Sequence, residues 1–184
     1  MVREILIWPH AVLAQYCRPV ASFDEGLRRL AKDMEDTMLK AKGAGLAASQ
    51  LGVPIRLVTV LVIDGNGVRS VVPLVNPVIM ERRESQLLKE GCLSLPGVVE
   101  QVRRSTWVKV AAQDVEGNRI EVEGDGLLAH SLQHELDHLD GVVFVDHLSN
   151  LKRSVARKQL TKAKARGMRY NADRPEPQDF TAGT

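Results

Sequence analysis

Residues 124–141, GDGLLAHSLQHELDHLDG, constrain the rest of the chain more than any other stretch. Leu128, Leu132, Leu136 and Leu139 recur at helical spacing, and Gly141 follows them as a helix stop. On such a helix His134 and His138 lie one turn apart and project side by side. Two imidazoles so placed can each give a nitrogen to one tetrahedral cation. Glu135, about 100° further round, can reach a water on that cation without being a ligand. The metal would acidify the water, and the carboxylate would take its proton and pass it on. The same letters also suit a partly buried, hydrogen-bonded histidine pair, or a polar stripe on a surface helix.

The segments before this helix predict what packs around it. In SFDEGLRRLAKDMEDTMLKAKG, Leu27, Leu30, Ala31, Met34, Met38 and Ala41 repeat helically. Ser22 and Glu25 have capping-box spacing, and Gly43 is the expected stop. From Ile55 the run IRLVTVLVI is β-branched and ends in the turn DGNG. Val71–Val75, Val78–Met80 and Val108–Ala112 read as further strands, and the last should pair through DVEGN with RIEVE as a hairpin. A final helix is expected at about Asn150–Arg166. The fold class is therefore α+β: mixed or antiparallel strands around a central, candidate metal-binding helix, with an N-terminal amphipathic helix and a C-terminal helix.

The chain has 184 residues, which predicts one domain over 1–170. Residues 171–184, NADRPEPQDFTAGT, have little to bury and are expected to be disordered. Cys17 and Cys92 lie 75 positions apart, which is no disulfide framework. No apolar run approaches the ~20 residues of a membrane helix, and the start MVREILIWPH resembles no leader. A cytoplasmic protein is the expectation. Residues 152–169 hold eight Lys/Arg and no Asp/Glu, so the net charge of +2 conceals a basic C-terminal segment. That segment, with Leu151, Val155, Leu160 and Ala163 as a thin apolar stripe, is either a solvated helix or a surface for RNA phosphates.

Two further stretches bear on the metal. In EGCLSLPG at 90–97, Cys92 lies between a glycine and a turn that reads as exposed. A thiolate and two imidazoles would leave a fourth position open, as a catalytic site requires. A lone cysteine is more often a small buried hydrophobe, and His130 is a competing third ligand. In GAGLAASQLG at 43–52, Gly43 and Gly45 permit close backbone approach and Gln50 offers an amide donor. There is no GK[ST], so this is not a phosphate loop, and by itself it reads as a helix-to-strand turn.

Taken together, GAGLAASQ at 43–50, EGCLS at 90–94 and QHELDHLDG at 133–141 resemble the peptide deformylase family, whose pattern is GxGxAAxQ, EGCLS and QHExDHxxG. GDGLLA and FVDHLS add to the likeness, which spans most of residues 1–165. Ser49 departs from it, standing where many members carry proline. The resemblance implies Cys92, His134 and His138 as ligands of a ferrous ion, with Zn2+, Ni2+ or Co2+ able to replace it. It implies Glu135 as general acid/base and Gln50 and the Leu93 N–H as oxyanion donors, with Gly45 along the substrate. The implied reaction removes the formyl group from N-formylmethionine on new polypeptides.

The side chain of that methionine needs an apolar slot, for which Leu128, Ala129 and Leu132 are candidates. Glu90 is expected to pair with Arg104 or Arg103 and fix the Cys92 loop. His10 and His147 read as surface or satisfied polar residues, and Cys17 as packing. Rival readings are an HExxH peptidase, a Cys92 nucleophile with a histidine base, and a non-catalytic binder of chain starts. The basic segment suggests the ribosome as a partner.

Overall fold

The computed structural model describes residues 1–167, so the expected tail and Arg169 lie outside the described residues. Helix α1 (Glu25–Lys40) leads into strands β1 (Gly45–Ala47), β2 (Leu57–Ile63) and β3 (Arg69–Arg83). A hairpin of β4 (Gln86–Cys92) and β5 (Leu95–Arg104) follows, then β6 (Trp107–Gln113) and β7 (Arg119–Asp125). Helices α2 (Gly126–Leu139) and α3 (Asn150–Ala165) complete the order. The strands form a five-stranded antiparallel sheet, β1-β2-β3-β6-β7, and the separate β4-β5 pair. The predicted hairpin is present, with Val110 opposite Val122. The two pieces expected at 71–80 are one long strand, whose register shifts between Val75 and Val78 and between Ile79 and Glu81.

Alternation along β2 explains the layering. Leu57 and Leu61 pack with Leu27, Ala31, Met34 and Met38 of α1. Val58 and Val60 face the other way, with Val108 and Val110 of β6 and Ala129, Leu132 and Leu139 of α2. Successive side chains of a strand point to opposite faces, so one apolar run serves two helical layers. Each fully buried Leu or Met contributes roughly 1.5–3 kcal/mol relative to exposure. The β4-β5 pair forms a third core with Phe144, Val145, Ala156 and Leu160. Helix α2 thus lies between the large sheet and the small hairpin, the central place the sequence predicts for it.

Three local expectations are corrected. The N-cap of α1 is Asp24, whose carboxylate accepts from the Leu27 N–H at 3.0 Å, so Ser22 and Glu25 make no capping box. The left-handed residue after α1 is Lys42 (φ 52°) rather than Gly43. Gly43 is needed for space, since a Cβ there would lie 2.9 Å from Leu93 Cδ1. On α3 the buried face is Ala156, Leu160 and Ala163, while Leu151 is 76% exposed and Val155 also faces outward.

Candidate metal centre

The β4-β5 pair delivers the thiol. Its register runs regularly from Gln86 opposite Arg104 to Gly91 opposite Val99, then shifts so that Cys92 faces Leu95. The tight reversal turns Cys92 inward, where it is only 2% exposed. The turn read as exposed is therefore buried, because Phe144 and Val145 cover it. From the other side α2 presents His134 and His138 one turn apart. Their rings cross edge-to-face with centroids 4.9 Å apart, and His138 Nε2 lies 3.2 Å from Cys92 Sγ.

Among the described residues, the ligand atoms of Cys92, His134 and His138 all lie within 4.8 Å of one another. One sulfur and two imidazole nitrogens at that spacing suit a single tetrahedral cation with its fourth position open. Two observations support the fit. His134 Nδ1 is engaged by Glu90 Oε1 at 2.5 Å, which leaves Nε2 for an ion. Glu135 Oε2, in the cleft that Cys92 and His134 also line, is buried without a hydrogen-bond partner among the described residues, as suits a carboxyl group that faces a water or substrate in the filled site.

Glu90, 1% exposed, organises the surroundings. Arg104 donates to it twice, Nε to Oε2 at 2.8 Å and Nη2 to Oε1 at 2.7 Å. His130 Nε2 lies 2.8 Å from Oε2. Of the two arginines considered from sequence, the partner is Arg104; Arg103 reaches Ser85 instead. Arg104 also bonds Asp137 Oδ2 at 2.7 Å, which His147 Nε2 approaches from the surface at 2.7 Å. Burial alone would raise the Glu90 carboxyl, but the charge of His134 and the bonds from Arg104, His130 and His134 outweigh it. The carboxyl is held well below the usual range. His130, the competing ligand, is thus a partner of Glu90.

Glu135 stands beside the ligands in a different setting. Burial, reinforced by the negative charges of Glu90 and Asp137, pushes its carboxyl up to about 7 against the opposing charges of His134 and Arg104. Gly45 packs directly on it: a Cβ at Gly45 would collide with Glu135 Oε1. The short helix Ala48–Leu51 brings in Gln50, whose Nε2 lies 3.5 Å from Cys92 Sγ. Gly45, Gln50, Leu93 and Glu135 line one cleft together with Cys92 and His134. From α2 the cleft takes Leu127, His130 and Ser131. Leu128, Ala129 and Leu132, the residues expected to form the substrate slot, pack on the large sheet instead.

One cysteine sulfur and two imidazoles that could hold a metal ion, with a buried carboxyl group alongside, define the class of metal-dependent hydrolases. The model of the family described as Polypeptide deformylase matches residues 2–154. The peptide deformylase of Alkalilimnicola ehrlichii is 45% identical over 166 residues, covering 90% of this chain and 93% of that protein. The crystal structure of a peptide deformylase from Legionella pneumophila superposes with a TM-score of 0.85 at 43% identity, covering 95% of this chain and 100% of that one. The one from Thermus thermophilus gives 0.80 at 40% identity, covering 90% and 99%. The chain belongs to the polypeptide deformylase family. It is a hydrolase that removes the formyl group from N-formylmethionine.

Proposed function

We propose that the reaction runs on a ferrous ion held by Cys92, His134 and His138, with Glu135 moving the proton and Gln50 and Leu93 stabilising the oxyanion. The observation that carries this reading is the convergence of one sulfur and two imidazoles within 4.8 Å. A bound divalent ion supplies Lewis acidity, which lowers the pKa of water and polarises the formyl carbonyl. Glu135, which makes no bond to the ligands, takes the proton of the attacking water and delivers it to the departing amine. Burial of that side chain disfavours its charged form, which favours uptake of the proton from water. The Gln50 amide and the Leu93 N–H then face the charge that develops on oxygen, each worth roughly 3 kcal/mol if well aimed. Affinity order alone ranks zinc above ferrous iron, so zinc, nickel or cobalt can occupy the same donors.

The edge of β1 supports a peptide laid along it. Leu61 N–H bonds Ala44 O at 2.8 Å, which makes Gly45 opposite Val60 a non-hydrogen-bonded pair. The N–H and C=O of Gly45 therefore point away from β2, toward the cleft. Leu127 and Ser131 take the place of Leu128, Ala129 and Leu132 as the walls offered to the methionine side chain. Gly45→Ala is expected to lower kcat/KM at least ~100-fold, because its methyl displaces the carboxylate that must be in position. Steady-state assay of that variant with unchanged metal content is the check; near-normal turnover would remove Gly45 and Glu135 from the reading.

Formate release from a formyl-Met tripeptide, with metal analysis of the same sample, tests the proposal directly. A strong chelator should abolish release and ferrous ion should restore it. Activity that survives complete removal of metal would favour a Cys92 nucleophile instead.

No helix among the described residues is long and apolar enough to cross a membrane. A cytoplasmic enzyme with one catalytic domain, acting on nascent chains at the ribosome, fits this sequence. Lys158 and Lys162 on α3 and Arg166 at its C-cap repeat at four-residue spacing on the exposed side. Truncating α3 would uncover Val98 and Val102 in the third core, so neutralising these three cations is the cleaner test. Ribosome co-sedimentation should weaken and lose part of its salt dependence, while tripeptide turnover is unchanged. Equal co-sedimentation would end the ribosome proposal.

A further inference from the structure

Ser94 has no role so far, yet it is a fully buried polar side chain two residues past the thiolate. Its Oγ accepts a hydrogen bond from Gln50 Nε2 at 3.1 Å. At the other end of that amide, Gln50 Oε1 accepts the Ala47 N–H at 2.9 Å. The Ala47 contact settles which end of the amide faces the cleft, since a reversed amide would set its NH2 against a backbone N–H. The Ser94 contact settles its rotation. A primary amide carries two hydrogens on nitrogen. With one on Ser94 Oγ, the other is donated to Cys92 Sγ at 3.5 Å, a long bond at the edge of the ligand cluster that an oxyanion placed nearer would take over. Without the serine oxygen, the last torsion of the glutamine would be restrained at one end only, and such torsions are intrinsically broad.

We infer that Ser94 is a positioning residue whose hydroxyl oxygen holds the Gln50 amide so that one N–H stays aimed at the developing oxyanion. The inference rests on the reading of Gln50 as an oxyanion donor. Ser94 also gives its backbone N–H to Cys92 Sγ at 3.4 Å. That bond survives any change of side chain, so the hydroxyl can be removed without stripping the thiolate of its backbone donor.

The test is a double-mutant cycle on metal-loaded enzyme, with kcat and KM measured separately and metal content determined in each sample. Gln50→Ala should lower kcat about 100-fold. Ser94→Ala should lower kcat about tenfold, with KM within about twofold of wild type and metal content unchanged. In the Gln50→Ala background, Ser94→Ala should change kcat by less than about twofold, because the group it orients is gone. Ser94→Thr, which keeps the oxygen, should recover most of the loss. If Ser94→Ala does not fold, Ser94→Gly removes the same oxygen and enters the same cycle.

An undiminished kcat in Gln50→Ala would overturn the donor reading beneath the inference. A Gln50→Ala loss with no Ser94→Ala loss would overturn the inference alone. So would additive losses in the double variant, or a fall in bound metal that accounts for the Ser94→Ala effect.

Discussion

Replacing Glu135 by glutamine is expected to lower kcat about 10³-fold, within the ~10²–10⁴ that a positioned acid/base contributes. Bound metal and KM should be little changed. Glutamine fills the same volume against Gly45 but cannot take a proton from water. Cys92, His134 and His138 keep the ion because Glu135 is not among its ligands. The substitution should also change stability in a pH-dependent way that a surface glutamate would not. In the metal-free protein the Glu135 carboxyl is raised to about 7, chiefly by burial. A raised acid makes the folded state bind its proton more tightly than the unfolded state does. Wild-type stability therefore declines as pH rises from the unfolded value toward 7, by at most about 3 kcal/mol. Glutamine carries no such penalty, so the metal-free variant should melt higher than wild type at pH 8, and the gap should close near pH 4.5. Formate-release kinetics and melting curves across pH measure both effects. Full activity in the glutamine variant would remove Glu135 from the mechanism.

What the sequence disclosed and what it concealed follow from how each element is buried. Helix α1 has one apolar face and one wet face, so its period is plain, and only its cap differs, being Asp24 rather than Ser22. Strands β2, β6 and β7 are β-branched and bounded by turns. The β4-β5 hairpin was not visible, because QLLKEGC mixes charge with apolar residues and Glu90 points inward. No alternation marks a strand whose buried side carries a carboxylate. Helix α2 concealed its orientation for a related reason. It is buried from Ala129 through Leu136, with core on one side and the ion site on the other. A helix covered on both sides has no single apolar stripe, so its leucines could not say which face met the substrate. The candidate site residues are legible as three short motifs. Their convergence required the register shift at Cys92, which is written only in the tightness of the CLSL turn. The Glu90–Arg104 pairing was within reach of the sequence, but its extension to His130 and Asp137 was not.

That pairing carries the second large expected effect. Glu90→Ala should destabilise the fold by about 3–5 kcal/mol and lower metal affinity ~10–100-fold. Removing the carboxylate leaves the Arg104 guanidinium, 5% exposed, with Asp137 as its remaining ion-pair partner, and deprives His130 and His134 of their common acceptor. The two effects arise differently. The stability loss is the cost of an inadequately compensated buried charge, whereas the affinity loss comes from His134, whose ring is no longer held with Nε2 toward the ion. Glu90→Gln should separate them: it restores the volume and one acceptor, and so should recover more stability than metal affinity. The pH dependence has a definite sign. The folded carboxyl is held well below its ordinary value, so its stabilisation is fully present above the unfolded value and is lost only as pH falls through the folded one. The difference between wild type and Glu90→Ala should then be flat from about pH 6 to 8 and shrink only in acid. Denaturant titrations at several pH values, paired with metal analysis, would show this. An alanine variant that keeps both its metal and its midpoint would mean that Glu90 does not organise the site.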